Sequence, residues 1–360
     1  MTARERVMAV LNGEQPDKIP IMAFDFLRAG SQGGWLRRLL RRGLGIIRFV
    51  PTYQPTYRDM NFFLEDVKYT QVQYLEDGIR KIRRFLETPV GTLTGVMRVN
   101  PIEGVPLSRG AQEEYFVKTP SDWRIMTYIF KGILGKLAPN YQAFEREEDE
   151  LGDNGICYGI VEKTPFQRAW VDLASIERAI LDFREKPEEF QEFIEIQKQL
   201  HTRQAEIAAE SPANFIVILD HITSIVSPKY FQEYCMPYYG LYSKALEGTG
   251  KILGVHMDGL LRHLKRDISQ APLGVIESFT VPPVGNISLA EAKSSWPDKI
   301  LFVNCPPHVN NGTSMEIRDA YKSILEEWGE KRGLLIEHSE DIPLEKVELN
   351  LSIALDVFGY

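Results

Sequence analysis

The sequence predicts an α/β fold: a (β/α)8 barrel of the TIM type, distorted, with an N-terminal helical and hairpin excursion. Three observations predict it. The second half holds five short apolar runs, and continuous apolar runs of this length read as strands buried on both faces of a parallel sheet. They are Phe215-Ile-Val-Ile-Leu-Asp220, Ile252-Leu-Gly-Val-His256, Leu273-Gly-Val-Ile-Glu277, Ile300-Leu-Phe-Val-Asn304 and Gly333-Leu-Leu-Ile-Glu337-His338. Stretches of helical character separate them. Each run ends in a residue able to do chemistry, and strand carboxyl ends converge on the active face of such a barrel.

The elements follow in order. Residues 3–12 alternate charged and apolar side chains at helical spacing, and Pro16 and Pro20 end that helix. Ile19-Pro-Ile-Met-Ala-Phe24 reads as a first strand, followed by Asp25. Residues 26–50 hold Gly30, Gly33 and Gly34, then the basic stretch Arg37-Arg38-Leu-Leu-Arg41-Arg42. That stretch reads as a solvated helix face or as a clamp for an acidic substrate or partner. Residues 66–118 look like antiparallel hairpins that leave the barrel. Helices are expected over 122–137, 170–183 and 187–209, and a strand at Gly159-Ile-Val-Glu162. The whole of 1–360 reads as one domain, with 26–150 as insertions and hairpin excursion over the barrel.

Composition narrows the function. The 360 residues are 44% hydrophobic and 26% charged, a globular balance long enough to bury a core. A net charge of -8 argues against nucleic acid as a main partner. No apolar run approaches the roughly 20 residues that span a bilayer, so no membrane is expected. The amino terminus lacks the apolar stretch of a signal peptide. Cys157, Cys235 and Cys305 are too few for a disulfide framework, and the expected location is the cytoplasm.

Asp220, Cys235 and His256 follow one another with 14 and 20 residues between them. A carboxylate, a thiolate and an imidazole form a reasonable zinc set that leaves a fourth position open. Cys235 lies on a helix that Ser227-Pro228 should cap, and the alternative is a small core residue. His256-Met-Asp258-Gly259 puts a His and an Asp two apart at a strand end; the alternative is a structural His bonded to its neighbour. Glu337-His338 is a possible acid–base pair or an acid-rich entry to a helix. His221 adjoins Asp220 and reads as orienting it. His201, His263 and His308 read as surface or packing residues, and Cys305 as a reserve ligand.

These residues, with Arg4-Glu-Arg-Val-Met-Ala-Val-Leu-Asn-Gly-Glu-Gln-Pro-Asp-Lys-Ile-Pro20, Thr88-Pro-Val-Gly-Thr-Leu-Thr94, Ser227-Pro-Lys-Tyr-Phe231, Pro237-Tyr-Tyr239 and Ile342-Pro343-Leu-Glu345, resemble the uroporphyrinogen decarboxylase superfamily nearly end to end. The resemblance implies a distorted barrel with its cleft at the strands' carboxyl ends. True decarboxylases carry a Met-Arg-Gln-Ala-Gly-Arg loop whose arginines hold substrate carboxylates. Here the matching place reads Phe26-Leu-Arg28-Ala-Gly30-Ser31, with one arginine, so porphyrinogen decarboxylation ranks low.

The other branch of the superfamily moves methyl groups to or from a corrinoid protein with the help of zinc. Members acting on coenzyme M carry His-x-Cys and a later Cys; Asp258 stands in place of the first Cys here. Methyltransferase components of O-demethylases look more similar, with two carboxylates and a His at the spacings of Asp220, Cys235 and His256. The resemblance thus implies zinc on Asp220, Cys235 and His256.

The expected function is a zinc-dependent methyltransferase moving a methyl group between a small methylated compound, a methyl ether or methylamine, and a corrinoid protein. Glu277, Glu337, His338 and Asp258 are the expected acid–base residues. Asp25, Phe24, Arg28, Tyr158 and Asn304 would line the substrate. One alternative is a metal-free decarboxylase holding an acidic substrate with the basic residues of 28–42. The other is a non-catalytic small-molecule-binding barrel.

Overall fold

A computed structural model describes residues 1–25, 34–99, 110–305, 307–338, 342 and 344–360. Helix α1 (Ala3–Leu11) starts at a capping box, in which Thr2 and Glu5 each accept from the other's backbone N–H. Its Val7, Val10 and Leu11 pack in one buried cluster with Met22, Ile47 and Ile156, closing the amino end of the barrel. Strand β1 (Ile21–Phe24) follows, then α2 (Trp35–Arg42) and β2 (Gly45–Pro51). The excursion is a four-stranded antiparallel sheet of β3 (Lys68–Glu76), β4 (Ile79–Thr88), β5 (Gly91–Arg98) and β6 (Ala111–Glu114). Asp77 and Gly78 turn β3 into β4, both with positive φ (49° and 75°), as a tight hairpin turn requires.

Helices α3 (Trp123–Lys136) and α4 (Tyr141–Leu151) lead to β7 (Gly155–Val161). Then come α5 (Ile176–Glu185), α6 (Glu188–Glu210), β8 (Phe215–Ile218), α7 (Met236–Leu246), β9 (Ile252–His256), β10 (Val275–Phe279), β11 (Ile300–Asn304), α8 (Ser314–Trp328), β12 (Leu334–His338) and α9 (Leu344–Val357). The closed barrel runs β1-β12-β11-β10-β9-β8-β7-β2, and every neighbouring pair is parallel. This is the (β/α)8 architecture the apolar runs predict. Leu86 and Leu93 of the hairpin sheet share one contiguous buried cluster with the barrel residues Ile216 and Val255. No helix among the described residues is long and apolar enough to cross a membrane.

Two local expectations are corrected. Residues 45–51 form a barrel strand that the sequence reading passed over: Arg48 interrupts the apolar run, and its guanidinium is met by Asp25 and by Glu147 and Glu150 of α4. The helix expected over 170–183 is a π-wound segment, Arg168–Leu173, followed by α5. The basic stretch is the solvated helix face of its first reading: Arg37, Arg38 and Arg41 are exposed, and Arg38 pairs with Glu348 at 2.5 Å and Arg42 with Asp356 at 2.5 Å, both on α9. Phe26, Arg28, Gly30 and Ser31 lie outside the described residues.

Candidate active site at the barrel mouth

Side chains alternate across a strand, so each barrel strand sends every second residue inward. The inward sets are Phe215, Val217 and Leu219 on β8 and just beyond it, Ile252 on β9, Val275 on β10, Ile300 and Phe302 on β11, and Leu335 on β12. Their neighbours Ile216, Ile218, Leu253, Val255, Ile276, Leu301, Val303, Leu334 and Ile336 pack outward in the other cluster. Carrying the alternation to the strand ends puts His221, His256, Asp258, Glu277, Asn304 and Glu337 on the inner side. It puts Asp220 and His338 on the outer side.

His256 and Glu277 are in register on adjacent strands. The His256 Nδ1–H donates to Glu277 Oε2 at 2.5 Å, and its Nε2 lies 3.5 Å from Asp258 Oδ2. His221 Nδ1 lies 3.1 Å from the other Asp258 oxygen. One ligand atom from each of His221, His256 and Asp258 lies within 4.8 Å of the others, the one such group of three found among the described residues. Burial disfavours the charged imidazole of His256, but the Glu277 carboxylate and Asp258 outweigh it and hold its pKa well above 6.5. Burial also raises the Asp258 carboxyl, yet hydrogen bonds from His221 and His256 hold it well below the usual carboxylate range.

Below this group the interior turns aromatic. Tyr158 stands edge-on to Phe24 at 6.3 Å and to Phe215 at 4.8 Å between ring centres, with Phe49 at 5.8 Å. Its hydroxyl is buried and has no hydrogen-bond partner among the described residues. Burial, then the nearby Glu337 and Glu277 carboxylates, push its pKa well above 10, so the hydroxyl stays a donor. Glu277, Glu337 and Asn304 are all buried. Ser278 holds φ at 61° inside β10, where the register with β11 shifts. This turns its N–H onto Glu337 Oε1 at 2.8 Å. A non-glycine residue in the left-handed region costs on the order of 1 kcal/mol and is found preferentially at functional sites.

Of the zinc set expected from sequence, only His256 belongs to the group of three. Asp220 points into the helix layer, where it accepts from the Thr164 N–H at 2.7 Å and from the Tyr239 hydroxyl at 2.8 Å. Burial raises its carboxyl to about 6 against those bonds. Cys235 ends the π-wound segment Phe231–Cys235 beneath α7, fully buried. Burial and then Asp220 push its thiol well above 9, so it packs there as a neutral thiol. His221 turns away from Asp220 to Asp258. Sequence reading missed that role, because the run Phe215-Ile-Val-Ile-Leu219 is apolar on both faces and does not say which side is inner.

His338 is likewise separated from Glu337. It faces α8, where the Tyr321 hydroxyl lies 3.0 Å from Nε2, and burial lowers its pKa to about 3. The same hydroxyl donates to Cys305 Sγ at 3.1 Å, which places Cys305 in the helix layer too. Asp25 is paired with Arg48 at 2.7 Å. Beside the site lies a cavity of about 360 Å³, lined by the inward Phe49, Ile160 and Leu219 and by Arg58, Lys163 and Arg168.

The family profile described as "Uroporphyrinogen decarboxylase (URO-D)" matches residues 115–357. Among solved structures, the chain is similar to "methyltransferase from Methanosarcina mazei": TM-score 0.55, 15% identity, 100% of each chain covered. At that identity the likeness is one of fold. A sugar phosphate isomerase/epimerase from Parabacteroides distasonis matches over 94% of each chain at 12% identity with a TM-score of 0.42, too low to carry an argument. None of the curated proteins matches the chain.

Proposed function

The chain belongs to the uroporphyrinogen decarboxylase (URO-D) family, and from that premise we propose that it is a methyltransferase working with a corrinoid protein. It would take the methyl group from, or deliver it to, a small methyl ether or methylamine bound in the barrel mouth. The fold likeness to a Methanosarcina mazei methyltransferase supports this reading. The observation that carries it is the His256 ring, whose Nδ1–H is locked by Glu277 and whose Nε2 turns towards Asp258 and His221.

Two imidazoles and a carboxylate within 4.8 Å of one another are a donor set that fits zinc with a position left open. A carboxylate behind a ligating imidazole is what fixes such a ring's tautomer and direction. Zinc held by His221, His256 and Asp258 would serve as a Lewis acid on the heteroatom that carries the methyl group.

The remaining roles belong to the chain itself. Glu277 keeps the imidazole aimed. Tyr158 donates a hydrogen bond from a dry aromatic wall to the same heteroatom, where developing charge is worth most. Glu337, fixed by the Ser278 N–H, exchanges the proton that the heteroatom gains or gives up. Phe24 and Tyr158, both buried, pack edge-on and would keep water from the methyl group. The corrinoid protein would dock on the mouth.

Metal content of the purified protein tests the reading, measured beside His221→Ala and His256→Ala. We expect about one zinc per chain, lost in both variants, together with methyl transfer to free cobalamin. Equal metal content in all three proteins, or undiminished transfer in the variants, would reject the proposed centre.

A further inference from the structure

A second cavity lies between the hairpin sheet and the flank of the barrel. It encloses about 390 Å³, and Tyr57, Arg58, Tyr69, Arg84, Gln112 and Arg168 are among the residues that line it. That volume is in the range of small-molecule sites. Gln71, Arg84 and Gly95 form a cross-strand row on the sheet face turned to it. The row has no side chain at Gly95, where a Cβ would come within 3.2 Å of Arg84 Nη2.

The cations of this cavity differ in their state. Arg168 is already held by Glu162 and by Asp172. Arg84 lies with its Cζ 4.8 Å above the Phe116 ring, and its Nε and Nη2 are buried with no hydrogen-bond partner among the described residues. Those two nitrogens form one edge of the guanidinium. That edge is the one whose parallel N–H groups meet both oxygens of a carboxylate or phosphate. Leaving buried charged donors unmet is costly. Arg58, at the exposed rim, has no ion-pair partner among the described residues and lines both this cavity and the one at the barrel mouth. In a chain of net charge -8, three guanidiniums, those of Arg58, Arg84 and Arg168, face one lining carboxylate, Asp172, around this aromatic-walled cavity, a local reversal of sign.

We propose that this cavity binds a small molecule bearing a carboxylate or phosphate group, held by the Arg84 guanidinium and closed over by Arg58. Tyr57, Tyr69 and Phe116 supply the surface for its apolar body. The site shares Arg58 and Arg168 with the barrel-mouth cavity, and none of the His221–His256–Asp258 group lines it. The inference does not depend on methyl transfer.

Calorimetric titration of the full chain with inorganic phosphate and, separately, with benzoate tests it. We expect saturable binding of at least one, weakened about tenfold or more by Arg84→Gln and by Arg58→Gln. Arg83→Gln removes the same charge from the opposite face of the same strand and should leave affinity unchanged. Preference for phosphate identifies a phosphate ester as the natural occupant, and preference for benzoate a carboxylic acid. No saturable binding of either probe overturns the proposal, as does equal weakening by Arg83→Gln, which would reduce the effect to bulk charge. Arg58 is exposed, so its variant remains informative if Arg84→Gln does not fold.

Discussion

His256 and Glu277 sit at the same register position of neighbouring strands, with Nδ1 and Oε2 2.5 Å apart. Parallel pairing fixes that relationship through the backbone, so the ring direction is inherited from the barrel and not from a mobile loop. Glu277→Gln retains the shape and loses the charge. Its expected effect is a 10- to 100-fold loss of zinc affinity, about the range found for partners behind metal-bound imidazoles, with the melting temperature little changed. Competition against a chromogenic chelator measures it, and unchanged affinity would detach Glu277 from the metal.

Tyr158 carries a buried hydroxyl with no partner among the described residues. Removing such a group is neutral or stabilising by about 1 kcal/mol, because no made bond is lost. Tyr158→Phe is therefore expected to hold or raise stability while lowering methyl transfer by about tenfold or more. A purely structural tyrosine would show the first effect and not the second.

Ser278 combines φ of 61° with a buried hydroxyl that has no partner among the described residues. Ser278→Gly relieves both and is expected to stabilise the fold by on the order of 1 kcal/mol. Because the N–H to Glu337 survives, activity should persist. Urea unfolding decides this: a destabilised glycine variant would mean that the conformation is not strained.

His201 is fully buried, and its pKa falls to about 3, chiefly through burial and secondarily through Arg168. Its Nε2 faces the Lys163 carbonyl at 3.1 Å and must donate, and its Nδ1 lies 3.0 Å from the Tyr242 hydroxyl. The unfolded chain takes up a proton near pH 6.5 that the folded chain refuses until about 3. The stability linked to His201 is thus complete above about pH 6.5 and is lost as pH falls. Between about pH 6.5 and 4.5 the loss should be about 2–3 kcal/mol, absent in His201→Gln. Parallel slopes for the two proteins over that interval would contradict the assignment.

Much of the site is readable from strand ends alone, since Glu277, Asn304, Glu337, His256 and Asp258 are named by the positions at which apolar runs stop. What the runs do not reveal without a face assignment is direction. A shift of one residue moves a side chain to the other side of the sheet. That single step separates Asp220 from His221 and His338 from Glu337. Phe215, Val217 and Leu219 carry the needed phase, but only against an aromatic interior that becomes evident once strands are paired. The Arg48 strand escaped notice for a different reason: a partly buried cation reads as solvent-facing until Asp25 and α4 are brought to it by the fold.

The α1 stopper has a kinetic consequence. With Val7, Val10 and Leu11 sealing the far end, the barrel is a cup closed at its amino end. If the proposed corrinoid protein docks on the rim, it would cover the path to Glu277, and traffic through the cup would be ordered: small molecules would enter before the rim is covered and depart after it is cleared. The dwell time of that partner would then set how often the cup can be refilled.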